Sequence, residues 1–266
     1  VGKDVSVDGS VMIARTEDIG SANSKRFIVH PAKDYLDGEM YTDVFNMSIP
    51  YPSHTYRYTA TPASKSRGLG DTPYGAAGFN ELGVAATSTI TAYPNDKAIS
   101  TDPFVETGLH ELSANDIILS RATSARHGIE IIAEIVDNYG SGEGNIIMTA
   151  DKDEAWYMEI YTGHQYAAIK MPTDKAAVIP NSYMLGEIDV ESPDVIVSEN
   201  LVKLAKENGF YKEENGNIHL RKTYSEKEKN IVEKGLIEIQ KILMGTDDEA
   251  KASLLFCLDK YLDPYY

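Results

Sequence analysis

Short apolar runs separated by turn residues dominate the first 92 residues and predict β-strands. The predicted strands are residues 5–7, 10–14, 28–30, 56–61 and 84–92. An Asp-Gly pair at 8–9 and the sequence Asn-Glu-Leu-Gly at 80–83 predict tight hairpin turns between neighbouring runs. The polar stretch 64–78 contains glycines and predicts a long loop.

Helical signals replace this pattern near residue 113. The sequence Ser-Ala-Asn-Asp at 113–116 is typical of a capping box, with an acid at the third helical position, and predicts a helix that Ser113 caps and that continues through 117–122. Thr123 or Ser124 is the predicted cap of a second helix through Asp137, and Gly140 is its predicted stop.

The rest of the chain returns to strands and then to helices. The predicted strands are 145–149, 155–161 and 165–170, as a meander, followed by 176–179. The predicted helices are 198–209, 225–244 and 247–262. Because this order does not alternate as βαβ units do, it predicts an α+β fold. We expect one domain over 1–266, in which 195–266 is mainly helical.

Charge and cysteine count narrow the classes of function. The net charge of −16 argues against nucleic acid as a partner, because its phosphates would be repelled. No apolar stretch reaches the roughly 18–20 residues of a membrane-spanning helix, so no membrane partner is predicted. Cys257 is the single cysteine, which excludes an intrachain disulfide, and its apolar neighbours predict a buried structural residue.

The common cofactor and nucleophile motifs are absent from the sequence. It contains no glycine-rich motif for phosphate or dinucleotide binding and no G-x-S-x-G. The six histidines are never paired at the spacing of metal ligands, so surface or packing roles explain them better. The sequence therefore predicts neither a metal nor an organic cofactor.

The most informative segment is residues 1–18. A predicted hairpin there leads into Arg-Thr-Glu-Asp at 15–18, which places one cation and two carboxylates at a sheet edge. A solvated, charged strand end is the simpler interpretation. The functional interpretation is that Arg15 and Asp18 flank the group at the very N-terminus.

Several other segments follow this one along the chain, and their order is the same as in a known protein family. They are Lys-Arg-Phe-Ile-Val at 25–29, Gly-Phe-Asn-Glu-Leu-Gly-Val-Ala at 78–85, Ser-Arg-Ala at 120–122, Ala-Arg-His-Gly at 125–128, Asp-Glu-Ala-Trp-Tyr-Met-Glu-Ile at 153–160 and Ala-Val-Ile-Pro-Asn-Ser-Tyr at 177–183. With these segments the chain resembles the dipeptidase A family of N-terminal-nucleophile hydrolases. The resemblance implies a four-layer αββα sandwich that hydrolyses dipeptides through an N-terminal cysteine.

The resemblance places that cysteine upstream of Val1. It also implies a further C-terminal part, so we expect the chain to belong to a longer enzyme and not to be competent alone. The thiol would attack the peptide carbonyl, and the cysteine's own α-amino group would accept the proton. An α-amino group has an ordinary pKa of about 7.7–8.0, so it can act as a base without a histidine.

The resemblance also implies roles for individual residues. Arg15 would favour the thiolate over the thiol, and Asp18 would orient the α-ammonium group. Asn181, which follows Pro180, is the candidate donor to the oxyanion. An ordinary asparagine turn after a proline explains Asn181 equally well.

Three residues are candidates for substrate contacts. Ser88 and Thr89 lie in a segment that we expect to supply a second, main-chain donor. Glu17 is the candidate partner of the free amine of a dipeptide, although a solvated turn residue explains it equally well. The substrate carboxylate calls for a cation, and the choice stays open among Arg57, Arg67, Arg221 and residues of the further part of the enzyme.

Alternatives to the dipeptidase stay open. One is an N-acyl amide hydrolase of the choloylglycine or penicillin acylase type, and another is a non-catalytic relative that only binds peptides. A metallopeptidase is a third. The expected partner is a small peptide substrate, the bacterial cytoplasm is favoured over a secreted location, and homo-oligomerisation stays open.

Overall fold

The computed structural model of the chain describes residues 1–16, 25–62, 75–90, 92–179 and 181–226. The strands in this part are β1 (Ile28–His30), β2 (Lys33–Asp34), β3 (Met40–Thr42), β4 (Ser48–Pro50), β5 (His54–Thr55), β6 (Tyr58–Ala60), β7 (Ala77–Phe79), β8 (Ala85–Thr89), β9 (Asn145–Ala150), β10 (Ala155–Ile160), β11 (Tyr166–Lys170), β12 (Glu187–Ile188), β13 (Val195–Val197), β14 (Glu213–Glu214) and β15 (Asn217–His219). The helices are α1 (Asp96–Thr101), α2 (Glu111–Arg121), α3 (Ala125–Tyr139), α4 (Leu201–Glu207) and α5 (Leu220–Tyr224).

Six strands form a central antiparallel sheet in the order β13-β11-β10-β9-β8-β7. Its middle strand β10 is buried along its whole length, since both faces of the sheet are covered. Successive side chains of a strand point to opposite faces. Trp156 and Met158 therefore belong to one apolar cluster, while Tyr157 belongs to the other.

Helices α2 and α3 cover one face of this sheet. Ser124 begins α3 by accepting a hydrogen bond from the backbone N–H of His127 at 3.1 Å. Gly140, with φ of 77°, follows its last turn. The two helices pack closely, because a Cβ at Gly128 would lie only 3.0 Å from Cγ2 of Ile118.

The opposite face is covered mainly by residues after 182. Tyr161 stacks on Tyr224 there, with ring centroids 4.7 Å apart, and meets Tyr183 edge-on. A small antiparallel sheet, β12-β15-β14, packs on this face together with α4 and α5. The predicted α+β fold class is confirmed. In terms of the αββα order, the described residues contain a helix layer, the six-stranded sheet and, on its other face, a smaller sheet together with two short helices.

Residues 28–60 form a long irregular hairpin beside α2. Its pairings are nested, β1 with β6, β2 with β5 and β3 with β4. Strands β5 and β6 contact α2, and a bridge from Tyr58 to Asn80 joins the hairpin to the central sheet. We call this segment the hairpin arm.

Predictions that depended on local signals are confirmed. The turn at 80–83 joins β7 to β8, and the meander of 145–170 is β9, β10 and β11. The helix predicted from Ser124 is α3, and β1 coincides with the predicted strand 28–30. Helix α4 lies inside the predicted helix 198–209, although its N-cap is Asn200.

The predicted start of the first long helix is wrong. Helix α2 begins at Glu111, so the sequence Ser-Ala-Asn-Asp lies inside it. Ser113 does not cap the helix; its hydroxyl donates to the carboxylate of Asp43 at 2.6 Å. The first backbone N–H of α2 is instead satisfied by Glu143, whose Oε1 accepts from Glu111 at 2.7 Å. A capping group from a distant part of the chain leaves no local signal.

Four strand and loop predictions are also wrong. Residues 176–179 form no strand, and β13 lies beside β11 instead. Residues 5–7 form turns and residues 10–14 form no strand, although Val1 pairs with Met12. Strand β7 occupies the end of the predicted loop 64–78.

Some predictions lie outside the described residues. Residues 227–266 are not described, so most of the helix predicted over 225–244, the whole helix predicted over 247–262 and Cys257 lie outside the described part. None of the helices that the structure describes has the length and apolarity needed to cross a membrane. In the same residues, no group of three or more His, Cys, Asp or Glu side chains is placed to hold a metal ion.

Candidate active site

Arg15 lies where three polar groups converge on its guanidinium. Its Nη1 donates to the carbonyl oxygens of Ser88 and, at 3.3 Å, Ala76, and lies 3.1 Å from Oε1 of Glu111. Only 14% of the Arg15 side chain and 8% of the Glu111 side chain are exposed. Burial strengthens the attraction between opposite charges, so this ion pair fixes the guanidinium near the end of β8.

Asn115 ties the same region to α2. Its Nδ2 lies 2.8 Å from the carbonyl oxygen of Gly75, 3.0 Å from that of Ala76 and 2.9 Å from Oγ of Ser88. Glu111 and Asn115 are four residues apart and therefore share one face of α2. This face of the helix holds both the Arg15 side chain and the backbone that the guanidinium contacts.

Asn181 lies close to the same end of β8. Its Nδ2 donates to the carbonyl oxygen of Ile90 at 3.0 Å, and the residue is exposed. Ile90 is two residues beyond Ser88, whose carbonyl oxygen accepts from Arg15. The segment 88–90 therefore links two predicted site residues that are far apart in the sequence.

The N-terminal segment is held from two sides. Val1 and Met12 exchange two backbone hydrogen bonds, of 2.8 and 3.0 Å. On the other side, the N–H of Gly2 donates to the carbonyl oxygen of Lys175 at 2.9 Å. A Cβ at Gly2 would lie 2.3 Å from the carbonyl oxygen of Thr173, so only glycine permits this approach.

The predicted substrate contacts differ in their accessibility. Ser88 is 2% exposed and its hydroxyl is hydrogen-bonded inside the protein, so its side chain is not available to a ligand. Thr89 is half-buried, and its hydroxyl donates to the carbonyl oxygen of Ile90 at 3.4 Å. Glu17 and Asp18 lie outside the described residues.

Sequence reasoning missed Glu111 and Asn115. Both are polar residues at buried positions of a helix, which weakens its apolar periodicity. The available signal was a Glu-x-x-x-Asn spacing that puts both side chains on one helix face. That spacing indicates a polar contact but does not identify Arg15 as the partner.

Glu159 is buried behind the segment that carries Asn181. Its carboxyl group accepts hydrogen bonds from two tyrosine hydroxyls and two backbone N–H groups. The donors belong to Tyr157, Tyr161, Met184 and Leu185. Burial raises the pKa of Glu159, and these hydrogen bonds offset part of that rise. The carboxyl group thus anchors the backbone three and four residues after Asn181.

Comparisons with known proteins agree with the sequence resemblance. "Probable dipeptidase B" of Streptococcus pyogenes serotype M1 is 44% identical over 228 residues, which are 85% of this chain and 45% of the relative. "Probable dipeptidase" of Salmonella dublin is 35% identical over 232 residues, 86% of this chain and 53% of the relative. The chain therefore spans about half the length of the curated relatives it matches.

A solved structure and a family were also matched. The solved structure of penicillin V acylase from Agrobacterium tumefaciens aligns with 91% of this chain and 66% of its own, at 12% identity and a TM-score of 0.39. The sequence model of peptidase family C69 matches residues 1–233. The chain belongs to peptidase family C69.

Proposed function

We propose that the protein hydrolyses dipeptides through a cysteine nucleophile supplied upstream of Val1. The observation that carries the proposal is the site at the end of β8. There Arg15 is held by Ser88, Ala76 and Glu111, beside the N-terminal segment. The dipeptidase names of relatives 44% and 35% identical to this chain also support it.

Arg15 favours the anionic form of the nucleophile in this proposal. The Val1–Met12 backbone pair sets residues 12–16 alongside the N-terminal segment, so a guanidinium on this stretch lies near any group just upstream. A nearby cation lowers the pKa of a thiol and raises the thiolate fraction. The Glu111 carboxylate keeps the guanidinium in place, because the two groups attract each other in a largely buried setting.

The reaction proceeds in two steps. The thiolate attacks the peptide carbonyl carbon, and the cysteine α-amino group carries the thiol proton to the leaving amine. The amino-terminal half of the substrate stays on sulfur as a thioester. Water then adds to the thioester, and the second product leaves with a carboxyl group while the thiol is restored. Asp18 orients the α-ammonium group during both steps.

Asn181 serves as the side-chain donor to the oxyanion. Its hydrogen bond to the carbonyl oxygen of Ile90 fixes the plane of the amide at the end of β8. One positioned donor of this type contributes about 3–4 kcal/mol to stabilising the transition state. The main chain of Ser88 and Thr89 lies beside it and is the proposed second contact. Glu17 is the proposed partner of the substrate ammonium group.

The test uses the full-length protein that carries this chain. Purified protein is treated with iodoacetamide or with a chelator, and hydrolysis of alanyl-alanine is followed by release of free alanine. We expect alkylation to abolish hydrolysis and the chelator to leave it unchanged. Activity lost only to the chelator would instead indicate a metallopeptidase. Cleavage of penicillin V with no cleavage of dipeptides would favour the N-acyl amide hydrolase.

A further inference from the structure

We propose that a cavity between α2 and the hairpin arm binds a dipeptide by its two charged ends. The cavity has a volume of about 240 Å³. Sites for drug-sized molecules measure about 300–1,000 Å³, so this one suits a smaller ligand. The charge pattern of the cavity wall indicates a small zwitterion independently of the proposed function. The choice of a dipeptide among small zwitterions rests on the proposed function.

Three buried polar atoms of the cavity wall have no hydrogen-bond partner within the described part of the chain. They are Oδ1 of Asp116, Nε of Arg121 and Nε2 of His30. More than about 90% of buried polar groups in native proteins are paired, so three such atoms in one wall are unusual. This pattern indicates a cavity built for a polar occupant.

Two of these groups carry opposite charges and do not neutralise each other. Asp116 and Arg121 both line the cavity, yet neither forms an ion pair with any described residue. Burial raises the pKa of the Asp116 carboxyl to about 7 and lowers the pKa of Arg121. In both cases burial outweighs the favourable interactions of the charged form, which are the hydrogen bond from Tyr58 to Asp116 and the attraction of Arg121 to Glu134 and nearby tyrosines. A ligand with one ammonium and one carboxylate group would supply both counter-ions.

Aromatic rings form the remaining wall. Tyr35 and Tyr51 stack with centroids 3.8 Å apart, and Tyr58 stacks on His30 at 4.4 Å. Aromatic faces attract ammonium groups and also provide apolar surface for small side chains. This wall therefore suits a dipeptide with small apolar side chains, such as alanyl-alanine.

The test uses three ligands that differ only in their ends. The first is the ketomethylene isostere of alanyl-alanine, which has both charges and no peptide bond to hydrolyse. The others are its N-acetyl derivative and its carboxamide, each lacking one charge. Ile117 lines the cavity, and its methyl groups report occupancy by NMR when labelled with carbon-13. We expect each blocked ligand to bind at least about tenfold more weakly than the isostere.

Substitutions in the wall give the complementary result. Asp116→Asn and Arg121→Gln should each weaken isostere binding at the Ile117 probe by about tenfold or more. Asp116→Asn should not weaken the N-acetyl ligand further, and Arg121→Gln should not weaken the carboxamide further. Arg126→Gln, at an arginine of α3 that pairs with Glu130, is the matched control and should bind normally. Equal affinity for all three ligands, or no response of Ile117 at millimolar isostere, overturns the proposal.

Failure of this proposal differs from failure of the proposed function. Thiol-sensitive dipeptide hydrolysis, with isostere binding that ignores Asp116 and Arg121, overturns only the cavity assignment. Isostere binding as expected, with hydrolysis that survives complete alkylation, overturns only the proposed function.

Discussion

Two buried carboxyl groups of this protein differ in how fully their surroundings satisfy them. Glu159 accepts hydrogen bonds from four donors, whereas Oδ1 of Asp116 has no partner among the described residues. The sequence analysis predicted neither residue to be a buried carboxyl group. A buried acid and a solvated one have the same local signature, and only the tertiary contacts distinguish them.

Asp116 should make the protein more stable at low pH than at high pH. Its pKa in the folded protein is about 7, above its ordinary value of 3.8, so folding favours the protonated form. The stability linked to this proton is present below about pH 4 and lost as the pH rises through about 7. Asp116→Asn should therefore raise the free energy of unfolding at pH 8, by on the order of 2–4 kcal/mol.

Urea unfolding at pH 5 and pH 8 measures this effect. The gain from Asp116→Asn should be smaller at pH 5, and Asp174→Asn, at an exposed residue, should change stability equally little at both pH values. An equal gain from Asp116→Asn at both pH values would show that its carboxyl does not titrate as described.

Glu159→Gln should destabilise the protein. An amide nitrogen cannot accept a hydrogen bond, so at least one buried donor loses its partner, at a cost of about 1–3 kcal/mol. Chemical denaturation measures the loss, and Glu191→Gln, at an exposed position, is the control. A Glu159→Gln protein as stable as the unmodified one would show that the four hydrogen bonds are not needed to hold residues 184–185.

At the scale of elements, the sequence predicted what local signals determine. Helix α3 has its cap and its stop within its own segment, and the prediction placed both. Helix α2 begins at a residue whose N–H is satisfied by Glu143, far along the chain, and its cap was placed at Ser113, three residues after the observed His110. Short strands such as β12 and β14 form only because a tertiary partner lies beside them.

Ser124→Ala tests the local cap of α3. The substitution removes the acceptor for the N–H of His127 and should destabilise the protein by about 1 kcal/mol. Ser124→Asp keeps an acceptor at the same place and should restore most of the loss. Thermal unfolding of the three proteins measures both effects, and a full loss with Ser124→Asp would contradict the capping role.

Gly2→Ala tests how the N-terminal segment is positioned. The added Cβ would meet the carbonyl oxygen of Thr173, so the segment must shift. A misplacement of about 1 Å near a nucleophile can lower activity by on the order of 100-fold. We expect kcat/KM of the full-length enzyme to fall at least about tenfold, with little change in Tm. Lys3→Ala, at an exposed residue, is the control. Unchanged kinetics in Gly2→Ala would show that the close approach of Gly2 to Thr173 is not needed for activity.

At the scale of the whole molecule, the fold class and the family followed from the sequence, but the site was only partly predictable. The structure brings Arg15, the segment 88–90 and Asn181 together at the end of β8. The charged strand end indicated Arg15 in the sequence, whereas the segment 88–90 and Asn181 were indicated only through the resemblance, because these residues converge only when the sheet forms. The roles of these residues stay predictions. The same holds for the single domain over 1–266 and for its mainly helical part from residue 195.

The central claim is that Arg15 lowers the pKa of a nucleophilic cysteine whose thiolate hydrolyses dipeptides. The most direct measurement is the rate of iodoacetamide alkylation against pH in the full-length protein, with dipeptide hydrolysis followed in the same samples. A Cys257→Ala background, expected to keep its turnover, removes the one thiol that this chain itself contains. The account predicts that alkylation and loss of hydrolysis proceed together, and that Arg15→Ala moves the alkylation midpoint up by about one pH unit or more. An unchanged midpoint, or hydrolysis that survives complete alkylation, would contradict it.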